Sequence, residues 1–478
     1  MNLLSINLRT SLNADRVGAG LRPAWRTPFV RAGLRPAPTR RPSRLRSPQS
    51  TIRNCVIVLL LLFALPAWAV DFQEEIIIQQ SENPIEFPIN THGTAAVDST
   101  GRLHLVYGIR DQTGSPPQNQ VWYCEVGPDG NVSVPIRVDN ATIGGGRHPC
   151  LAVDSEDTVH VVWHDYRHTT FAGHWMDNTE IYYDRKPVDG VFSDSDVRIS
   201  DTRAGHLGDN GYAPQIAVGP DGRVHIAWYD FTLDGNTADV YLRSSTLSGE
   251  FPPQVGIEPF RITSIGSGST YTANWMPSLA ALPSGEMYVL WGFVEGWQGN
   301  FELRGYTVSA DGVARPVEQV AEDGGSFLDP HRLTADRQGN LGLVYSKRVD
   351  TQKRIFLQYR PNGAGWSAPI RVDNGNTDAT QPDLAFDSRG QAHIVWQEDI
   401  GGAYRVMYAI LSPGDLSIES PVALSRMEAD ARTPAIALNP RTDGISVLWL
   451  DWSAEGERSI VYRYGIPPNV GVDLWWLH

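Results

Sequence analysis

The feature that most constrains this chain is a pair of short apolar runs joined by a turn, which recurs along its length. In one copy, residues 151–153 are apolar, 154–157 have the composition of a tight turn, and 159–163 are rich in β-branched and aromatic side chains. A repeat of this kind predicts one structural unit per copy. Seven copies, spaced by 51 to 65 residues, align on the aromatic residue that ends the second run: Tyr107, Trp163, Trp228, Trp291, Tyr345, Trp396 and Trp449.

Each copy continues with a polar loop, a third strand-like run and then a fourth. Residues 180–184 and 239–243 are examples of the third run, and 135–138 and 369–372 of the fourth. Four strands per copy without helical periodicity are typical of the blades of a β-propeller. We therefore predict an all-β fold, a seven-bladed β-propeller of four-stranded antiparallel blades, formed by residues 71–478 as a single domain.

Four other positions recur in the copies. The turn carries an aspartate at Asp98, Asp154, Asp336 and Asp387, and a glycine at Gly101, Gly222, Gly285, Gly339, Gly390 and Gly444. A histidine stands three residues before the aromatic at His104, His160, His225 and His393. A proline is predicted to open the first strand, where no ladder donor is lost, at Pro149, Pro214, Pro277, Pro330, Pro382 and Pro434. We interpret the turn residues as structural and the histidines as packed strand residues, because single histidines in separate blades do not cluster as metal ligands do.

The seventh copy has no evident fourth strand. Residues 75–78 and 84–87 are strand-like and stand just before the first copy. We predict that this N-terminal strand completes the last blade and closes the ring, since an open ring would expose sheet edges. The apolar tail at residues 472–478 is predicted to pack on the surface or on that seam.

The N-terminal region is predicted not to belong to the propeller. Residues 1–53 hold eleven arginines and one acidic residue, which is typical of a disordered basic extension or of a start site that lies further downstream. Residues 54–69 form an apolar run that is too short for a comfortable membrane span. Ala67 and Ala69 stand at the positions of an A-x-A cleavage site, so this run is predicted to be a signal peptide.

Charge and cysteine content limit the classes of partner. Removal of residues 1–69 leaves 29 basic and 53 acidic residues, a formal charge of −24. Such a protein is expected to repel nucleic acid and anionic membranes and to accept neutral or cationic ligands. No cofactor is predicted, although Ca²⁺ is compatible with the charge. Cys124 and Cys150 are expected not to form a disulfide, because the alignment places them in a third strand and an innermost strand.

Candidate functional residues lie on one face of the predicted propeller. The loops that lead into the first strand and out of the second lie on the same face, here called the top face, and the turn between these strands lies on the opposite, bottom face. Aromatic side chains among polar ones at the top face suit sugar rings, notably in the long inserts 171–178, 269–275 and 296–300. The alternative for Asp165 and Asp230 is that they cap their own loops. The predicted ligand-binding residues are His148, His164, Asp165, Tyr166, Arg167, Tyr229, Asp230, Trp275, His331, Arg348 and Glu398.

The repeat resembles that of a known family. The pattern P-x-I-A-V-D-x-x-G-x-x-H-x-x-W-x-D, present at 149–165, 214–230 and 382–399, is similar to the repeats of bacterial sialidase-like (BNR-type) propellers. The resemblance implies the fold over residues 71–465. Sialidases also carry Asp-boxes, an arginine triad, a Tyr–Glu pair and a catalytic Asp. The segment here nearest to their F-R-I-P motif, residues 86–89, lacks the arginine, so those catalytic roles are not transferred.

Three functional hypotheses follow from these observations. The first is a secreted or periplasmic bacterial propeller that binds a glycan or another extracellular ligand on its top face. The second is a carbohydrate-active enzyme, either a glycoside hydrolase or a polysaccharide lyase. A lyase needs a base and cationic groups that neutralise a uronic carboxylate, and His148, His164, Tyr166 and Arg167 provide such groups. The third is a scaffold for an extracellular protein partner.

The predicted signal peptide generates a direct test. Mass spectrometry of the exported protein is expected to find Val70 or a near neighbour at the N-terminus, because cleavage follows Ala69. An exported chain that retains residue 1 would contradict the prediction.

Overall fold

β-strands are the only regular elements in the part of the chain that the computed structural model describes. The described residues are 70–87, 93–111, 118–168, 179–200, 211–230, 237–251, 260–263, 272–295, 301–309, 316–322, 330–452 and 458–468. The predicted basic extension (1–53), signal peptide (54–69), inserts 171–178 and 296–300, and tail 472–478 lie outside the described residues, as does the start of the insert 269–275.

The strands follow one another along the whole described chain. They are β1 (Asp71–Phe72), β2 (Ile76–Ser81), β3 (Ile85–Glu86), β4 (Ala95–Val97), β5 (Leu103–Asp111), β6 (Gln118–Val126), β7 (Ile136–Arg137), β8 (Gly146–Val153), β9 (Val159–Asp165), β10 (Glu180–Lys186), β11 (Val197–Arg198), β12 (Gly211–Val218), β13 (Val224–Asp230), β14 (Thr237–Ser244), β15 (Phe260–Arg261), β16 (Thr272–Ala281), β17 (Met287–Glu295), β18 (Phe301–Val308), β19 (Glu318–Glu322), β20 (His331–Ala335), β21 (Leu341–Val349), β22 (Gln352–Arg360), β23 (Ile370–Arg371), β24 (Ala379–Phe386), β25 (Ala392–Ile400), β26 (Ala403–Ser412), β27 (Ser417–Ile418), β28 (Val422–Ala423), β29 (Ala431–Leu438), β30 (Ile445–Asp451) and β31 (Arg458–Ile466).

Each copy of the repeat folds as an antiparallel meander. The simplest is the sheet β8–β11, in which each strand pairs with the next in the chain. The same order is found in β20–β23 and β24–β27, and β4–β7 and β29–β31 follow it with extra strands added. The meanders β12–β15 and β16–β19 are joined in one sheet by a two-residue parallel pairing between β14 and β16. The predicted all-β fold with four-stranded antiparallel sheets is confirmed.

The N-terminal strands pair with the last strand of the chain. In the sheet β29–β31, strand β1 pairs Asp71 with Ile466, and β2 pairs Ile76 with Tyr462, both antiparallel to β31. Strand β3, in contrast, pairs with β5 of the first copy. The strand-like segments 75–78 and 84–87 therefore join two different sheets.

The core lies between neighbouring meanders. Trp163 and the other aligned aromatics on the second strands are almost fully buried, and each buried aromatic removes roughly 150–250 Å² from water. One core cluster joins side chains of β8–β10 with side chains of β12–β14. Another joins Leu105 and Tyr107 of the first copy with Leu448 and Ile460 of the last. The first and last copies thus share a core as adjacent copies do.

A hydrogen-bonded relay fixes the turn between the first two strands. Asp154 Oδ1 accepts the backbone N–H groups of Glu156 (2.9 Å) and Thr158 (2.8 Å), while its Oδ2 lies 3.1 Å from His160 Nε2. The Nδ1 atom of His160 lies 2.7 Å from the hydroxyl of Tyr183 on the third strand. The first copy has the same relay, Asp98–His104–Tyr123. In the sixth copy His393 Nδ1 lies 2.6 Å from the Tyr408 hydroxyl, while its Nε2 is 3.7 Å from Asp387, an ion-pair distance without a hydrogen bond. The structural interpretation of the turn aspartates and recurrent histidines is confirmed in these copies.

Two turns use aspartate where the others use glycine. Gly101 adopts a φ of 91°, and Asp157 holds the corresponding position in the second copy with a φ of 60°. The strain of a positive φ is offset by a bond to the neighbouring copy, because the Asp157 carboxylate accepts the backbone N–H (2.7 Å) and hydroxyl (2.6 Å) of Ser99. In the last copy it is Asp443, at 55°, and not Gly444 that takes this conformation.

The relay generates a stability prediction. Replacing Asp154→Ala leaves two backbone N–H groups and the His160 ring without their acceptor, so we expect a loss of about 1–3 kcal/mol in unfolding free energy. Chemical denaturation measures the change. The control Glu156→Ala alters an exposed side chain of the same turn and is expected to stay within about 0.5 kcal/mol of the wild type. Equal effects of the two substitutions would contradict the relay.

Candidate functional site

The inner strands carry β-bulges at their top ends. In β8 the pairing with β9 shifts between Arg147 and Cys150, and similar shifts occur in β12, β16, β24 and β29. Each shift contains a residue–proline pair, so the prediction that proline opens the strand is wrong at five positions and holds only for Pro330. The physical reason is that a bulge also releases proline from the ladder. The residues before these prolines have φ between 47° and 56°: His148, Ala213, Met276, Gln381 and Thr433.

Three of these five residues line one cavity, here called the mouth pocket. It has a volume of about 340 Å³, within the range of pockets that hold small ligands. Its apolar lining is Ile85, Phe87 and Leu450. The remaining lining residues are polar or aromatic: Glu86, Arg147, His148, Gln381, Gln397, Arg432, Thr433, Trp452 and Arg458.

The mouth pocket contains more guanidinium groups than carboxylates to pair them. Arg147 Nη2 donates to Glu86 Oε2 at 2.6 Å, and Arg432 Nη2 donates to Asp430 Oδ2 at 2.8 Å. Arg458 Nη1 donates to the Ile85 carbonyl oxygen at 3.2 Å. Among the described residues Arg458 forms no ion pair, and burial lowers its pKa. Among the described residues, three guanidinium groups therefore line the pocket, and two of them are paired with carboxylates.

A row of aromatic rings, here called the aromatic arc, extends from the mouth pocket across the second, third and fourth copies. The ring of His148 lies 4.9 Å from that of His164, which lies 5.1 Å from Tyr212. Tyr212 is 5.8 Å from Tyr229, and Tyr229 is 5.2 Å from Trp275. The ring of Tyr166 lies 5.3 Å from His164. The structure thus brings together five of the predicted site residues: His148, His164, Tyr166, Tyr229 and Trp275.

His164 is the chemically unusual member of the arc. It is 2% exposed, and neither of its ring nitrogens has a hydrogen-bond partner among the described residues. Burial lowers the pKa of His164 well below its ordinary value, and the nearby His148 and Arg147 lower it further. Burial, with Arg147, also lowers the pKa of His148 to about 4. Burial raises the pKa of Tyr166, against the opposing effect of Arg147, which also hydrogen-bonds it. At neutral pH two uncharged imidazoles therefore adjoin a protonated phenol.

Asp165 and Arg167 have structural partners. Asp165 Oδ2 accepts the indole N–H of Trp163 at 2.9 Å, and its Oδ1 accepts the backbone N–H of Arg167 at 2.8 Å. The Arg167 guanidinium bridges Asp165 (2.7 Å) and Asp196 (2.6 Å) and stacks on the Tyr182 ring. This is the loop-capping arrangement that the sequence left open as the alternative.

Glu398 repeats this arrangement in the sixth copy. It accepts the indole N–H of Trp396 at 3.3 Å, and burial raises the pKa of its carboxyl. An acidic residue two positions after the aligned tryptophan thus anchors the indole. The pattern W-x-[DE] accordingly marks packing in these two copies.

The remaining predicted residues lie at separate positions. Asp230 is buried at the end of β13, next to Tyr229 of the arc. His331 is buried on β20, paired with Tyr345 of β21. Arg348 is exposed on the outer hairpin of β21 and β22, opposite Lys353, and does not line the mouth pocket.

The described residues contain no group of three or more His, Cys, Asp or Glu side chains placed to hold a metal ion. Cys124 and Cys150 are both buried, and they do not form a disulfide with each other, as expected. In the same part of the chain there is no helix long and apolar enough to cross a membrane.

Comparisons with known proteins identify relatives by structure alone. No protein-family model and no curated protein sequence matches the chain. Among the solved structures that match is an ulvan lyase, described as a new family of polysaccharide lyase and bound to GlcA(1-4)Rha3S, with a TM-score of 0.51, 11% identity and coverage of 80% of this chain and 95% of that chain. Another is the polysaccharide lyase Uly1, with a TM-score of 0.53, 11% identity and coverage of 83% and 100%.

At such low identity the likeness to the two lyases shows the fold alone. That fold is the propeller class which the repeats predict. Sialidases are also among the matching structures. One is the NanB sialidase from Streptococcus pneumoniae, with a TM-score of 0.43, 12% identity and coverage of 83% of this chain and 70% of that chain.

The contacts of Asp165 generate a prediction that separates packing from binding. Asp165→Ala removes the acceptor of a buried indole N–H and one of two carboxylates that hold Arg167, so we expect a loss of about 2–4 kcal/mol. The affinity for any top-face ligand is expected to change less than threefold. The control Asp129→Ala, at an exposed turn, is expected to leave the melting temperature unchanged. A variant with unchanged stability and lost binding would place Asp165 in the site itself.

Proposed function

We propose that this protein is an exported, carbohydrate-active β-propeller that cleaves an acidic polysaccharide by β-elimination on its top face. The observation that carries the proposal is the cluster of His148, His164 and Tyr166, with Arg147 beside it and the mouth pocket next to it. The cluster combines a proton acceptor, a proton donor and a cation within one region.

The protonation states in the cluster match the needs of β-elimination at a uronic acid. A neutral imidazole of His148 or His164 takes the proton from C5 of the uronate, and the electron pair moves to form the C4–C5 double bond as the C4–O bond breaks. Tyr166, kept protonated by burial, donates its proton to the leaving oxygen. The Arg147 guanidinium, although paired with Glu86 on one side, offers hydrogen-bond donors that stabilise the charge developing on the substrate carboxylate, as general acid–base and electrostatic catalysis require.

The local charge supports an anionic ligand in spite of the acidic composition. The formal charge of −24 predicted for the exported chain favours neutral or cationic ligands at long range. Within the mouth pocket, however, the Arg458 guanidinium has no carboxylate partner among the described residues. A ligand bound there experiences this nearby charge more strongly than the distant surface carboxylates, which salt screens.

The structural neighbours support the same class of substrate. The ulvan lyase of similar fold is bound to GlcA(1-4)Rha3S, which contains a uronic acid. A fold alone does not establish an activity, so the assignment to this chain depends on the His–His–Tyr cluster.

We also propose the complete architecture on which the site depends. Residues 71–478 form one domain of seven blades, and the N-terminal strands β1 and β2 close the ring. The pairing of β2 with β31 and the core shared by the first and last copies support this closure. The signal peptide at 54–69 directs the protein to the periplasm or the medium, where the protein has access to polysaccharide or another extracellular ligand.

The glycan-binder and protein-scaffold hypotheses differ from the lyase hypothesis in what they require of the His–His–Tyr cluster and the mouth pocket. A non-enzymatic glycan binder does not need an uncharged, partnerless histidine, and a protein scaffold does not need a concave polar pocket. The geometry of His164 therefore favours the enzyme over the binder that the sequence alone placed first.

The cluster generates an activity prediction. Purified protein incubated with a panel of uronic polysaccharides is expected to produce the ultraviolet absorbance of a C4–C5 double bond. His164→Gln and Tyr166→Phe are each expected to lower kcat/KM by about 100-fold or more, since Tyr166→Phe removes the proton donor and His164→Gln removes one of the two uncharged imidazoles proposed as the base. The control Tyr464→Phe alters a phenol beside Gly444 in the bottom turn and is expected to retain full activity.

The pH dependence follows from the lowered pKa values. The base must be uncharged to act, and burial holds the pKa of His148 at about 4. Activity is therefore expected to persist as the pH falls through the ordinary histidine range near 6.5 and to fall only toward pH about 4. Binding on a glycan array without any absorbance change would instead establish the non-enzymatic binder, and no glycan binding at all would leave the scaffold.

A further inference from the structure

We propose that the mouth pocket is a second subsite, which holds an anionic sugar residue next to the one that is cleaved. Arg458 binds its carboxylate or sulfate group, and Gln381 and Thr433 bind its hydroxyl groups. This inference rests on the proposed acidic glycan ligand, but it uses residues from the sixth and seventh copies instead of the histidine cluster.

Arg458 is held in place with hydrogen-bond donors to spare. Its guanidinium carbon lies 3.9 Å from the centroid of the Trp452 ring, and one of its five N–H donors is used by the Ile85 carbonyl oxygen. The backbone N–H of Trp452 donates to the carbonyl oxygen of Asp430 at 3.0 Å, which fixes the position of this loop residue. A stacked guanidinium presents its N–H edge to oxyanions such as carboxylate or sulfate. Trp452 is therefore a positioning residue for Arg458.

Two other groups in the pocket lack the partners that buried polar atoms normally have. Gln381 is 8% exposed, and its Oε1 atom has no hydrogen-bond partner among the described residues. The same holds for the Oγ1 atom of Thr433, although its backbone N–H donates to Gln397 Oε1 at 2.7 Å. Both residues line the pocket. Because buried polar groups are satisfied in most folded proteins, these atoms are expected to be satisfied by a ligand.

The backbone at these two residues strengthens the assignment. Gln381 and Thr433 both precede a proline in a bulge, with φ of 56° and 48°. Strained conformations of non-glycine residues cluster at sites that bind ligands. A bulge also changes the direction of the side chains that it contains. The equivalent bulge in β8 places His148 in the wall of the pocket. Bulges at equivalent positions therefore provide residues of both the His–His–Tyr cluster and the subsite.

The charges facing the pocket limit the ligand to an anion. Arg147 is paired with Glu86, and Arg432 is paired with Asp430. Among the described lining residues, the guanidinium that remains without an ion pair is that of Arg458, which favours a sugar with one carboxylate or one sulfate. A volume of about 340 Å³ is at the lower end of ligand pockets, which fits a single sugar residue better than a long chain.

The test measures affinity without turnover. In the His164→Gln background, calorimetry gives the dissociation constant for a sulfated oligosaccharide that contains glucuronate. The same sugar is also tested after carboxyl reduction and after desulfation. Arg458→Gln is expected to weaken binding of the acidic sugar at least tenfold and that of the fully neutral sugar less than twofold. Arg458→Lys is expected to recover part of the loss. The modification that abolishes the effect of Arg458→Gln identifies the bound group as carboxylate or sulfate.

A second variant adds a negative charge without changing size. Gln381→Glu places a carboxylate in the pocket and is expected to weaken binding of the acidic sugar at least tenfold. The controls are Gln338→Glu and Arg441→Gln, which make the same changes on exposed bottom-face turns and are expected to leave the affinity unchanged. Melting temperatures establish that each variant is folded, and Gln381→Glu decides the matter if Arg458→Gln does not fold.

The outcomes separate this inference from the proposed function. Loss of acidic-sugar affinity in Gln381→Glu or Arg458→Gln, without any elimination activity in the wild type, keeps the subsite and rejects the lyase. Elimination activity with unchanged affinity in both folded variants rejects the subsite and keeps the lyase. No binding of acidic sugar by the histidine variant and the wild type overturns both.

Discussion

The bulge at the residue–proline pair of the inner strands is the constraint on which the rest of the structure depends. On β8 it lies between the pairs Arg147–His164 and Cys150–Val162, so the ladder holds the backbone on both sides of the irregularity. A non-glycine residue at positive φ costs about 1–3 kcal/mol, and the surrounding sheet must offset that cost at five bulges. The bulges place the side chains of His148, Gln381 and Thr433, from three different strands, in the lining of one pocket.

The two ends of each meander have different roles, which two histidines of β9 illustrate. His160, near the bottom turn, is hydrogen-bonded to Asp154 and Tyr183 and holds strands together. His164, one residue beyond the aligned Trp163, has no such partners among the described residues and lies between the rings of His148, Tyr166 and Tyr212. The same side chain is thus structural at one end of a strand and chemically available at the other, because of its neighbours alone.

Much of the fold was predictable because its signals are local. The spacing of the aligned aromatics predicted the second strands, and the Asp-x-x-Gly turns and the recurrent histidines were correctly interpreted as structural. The bulges were not predicted, since proline is tolerated both at the start of a strand and in a bulge, and the sequence does not distinguish the two. Asp157 and Asp443 take a glycine conformation only because the neighbouring copy provides a hydrogen-bond partner.

The site was predicted less completely because its parts are distant in sequence. His148, His164, Tyr166, Tyr229 and Trp275 form a continuous arc, as their shared face suggested. Asp165, Arg167 and Glu398 were named for their charge, but their charges are used for packing. Arg458 and Thr433 were missed because they belong to the last copy and lie next to residues of the second copy only in the folded chain. Trp452 lies three residues after the aligned Trp449, and nothing in its local sequence connects it with Arg458.

The most direct measurement is a crystal structure of the His164→Gln variant with a bound acidic oligosaccharide that contains glucuronate. We expect a sugar chain across the top face, with one anionic group at Arg458 and C5 of the adjoining uronate beside His148. A ligand bound on the bottom turns, or on the outer hairpin of Arg348, with the mouth pocket empty, would contradict this expectation.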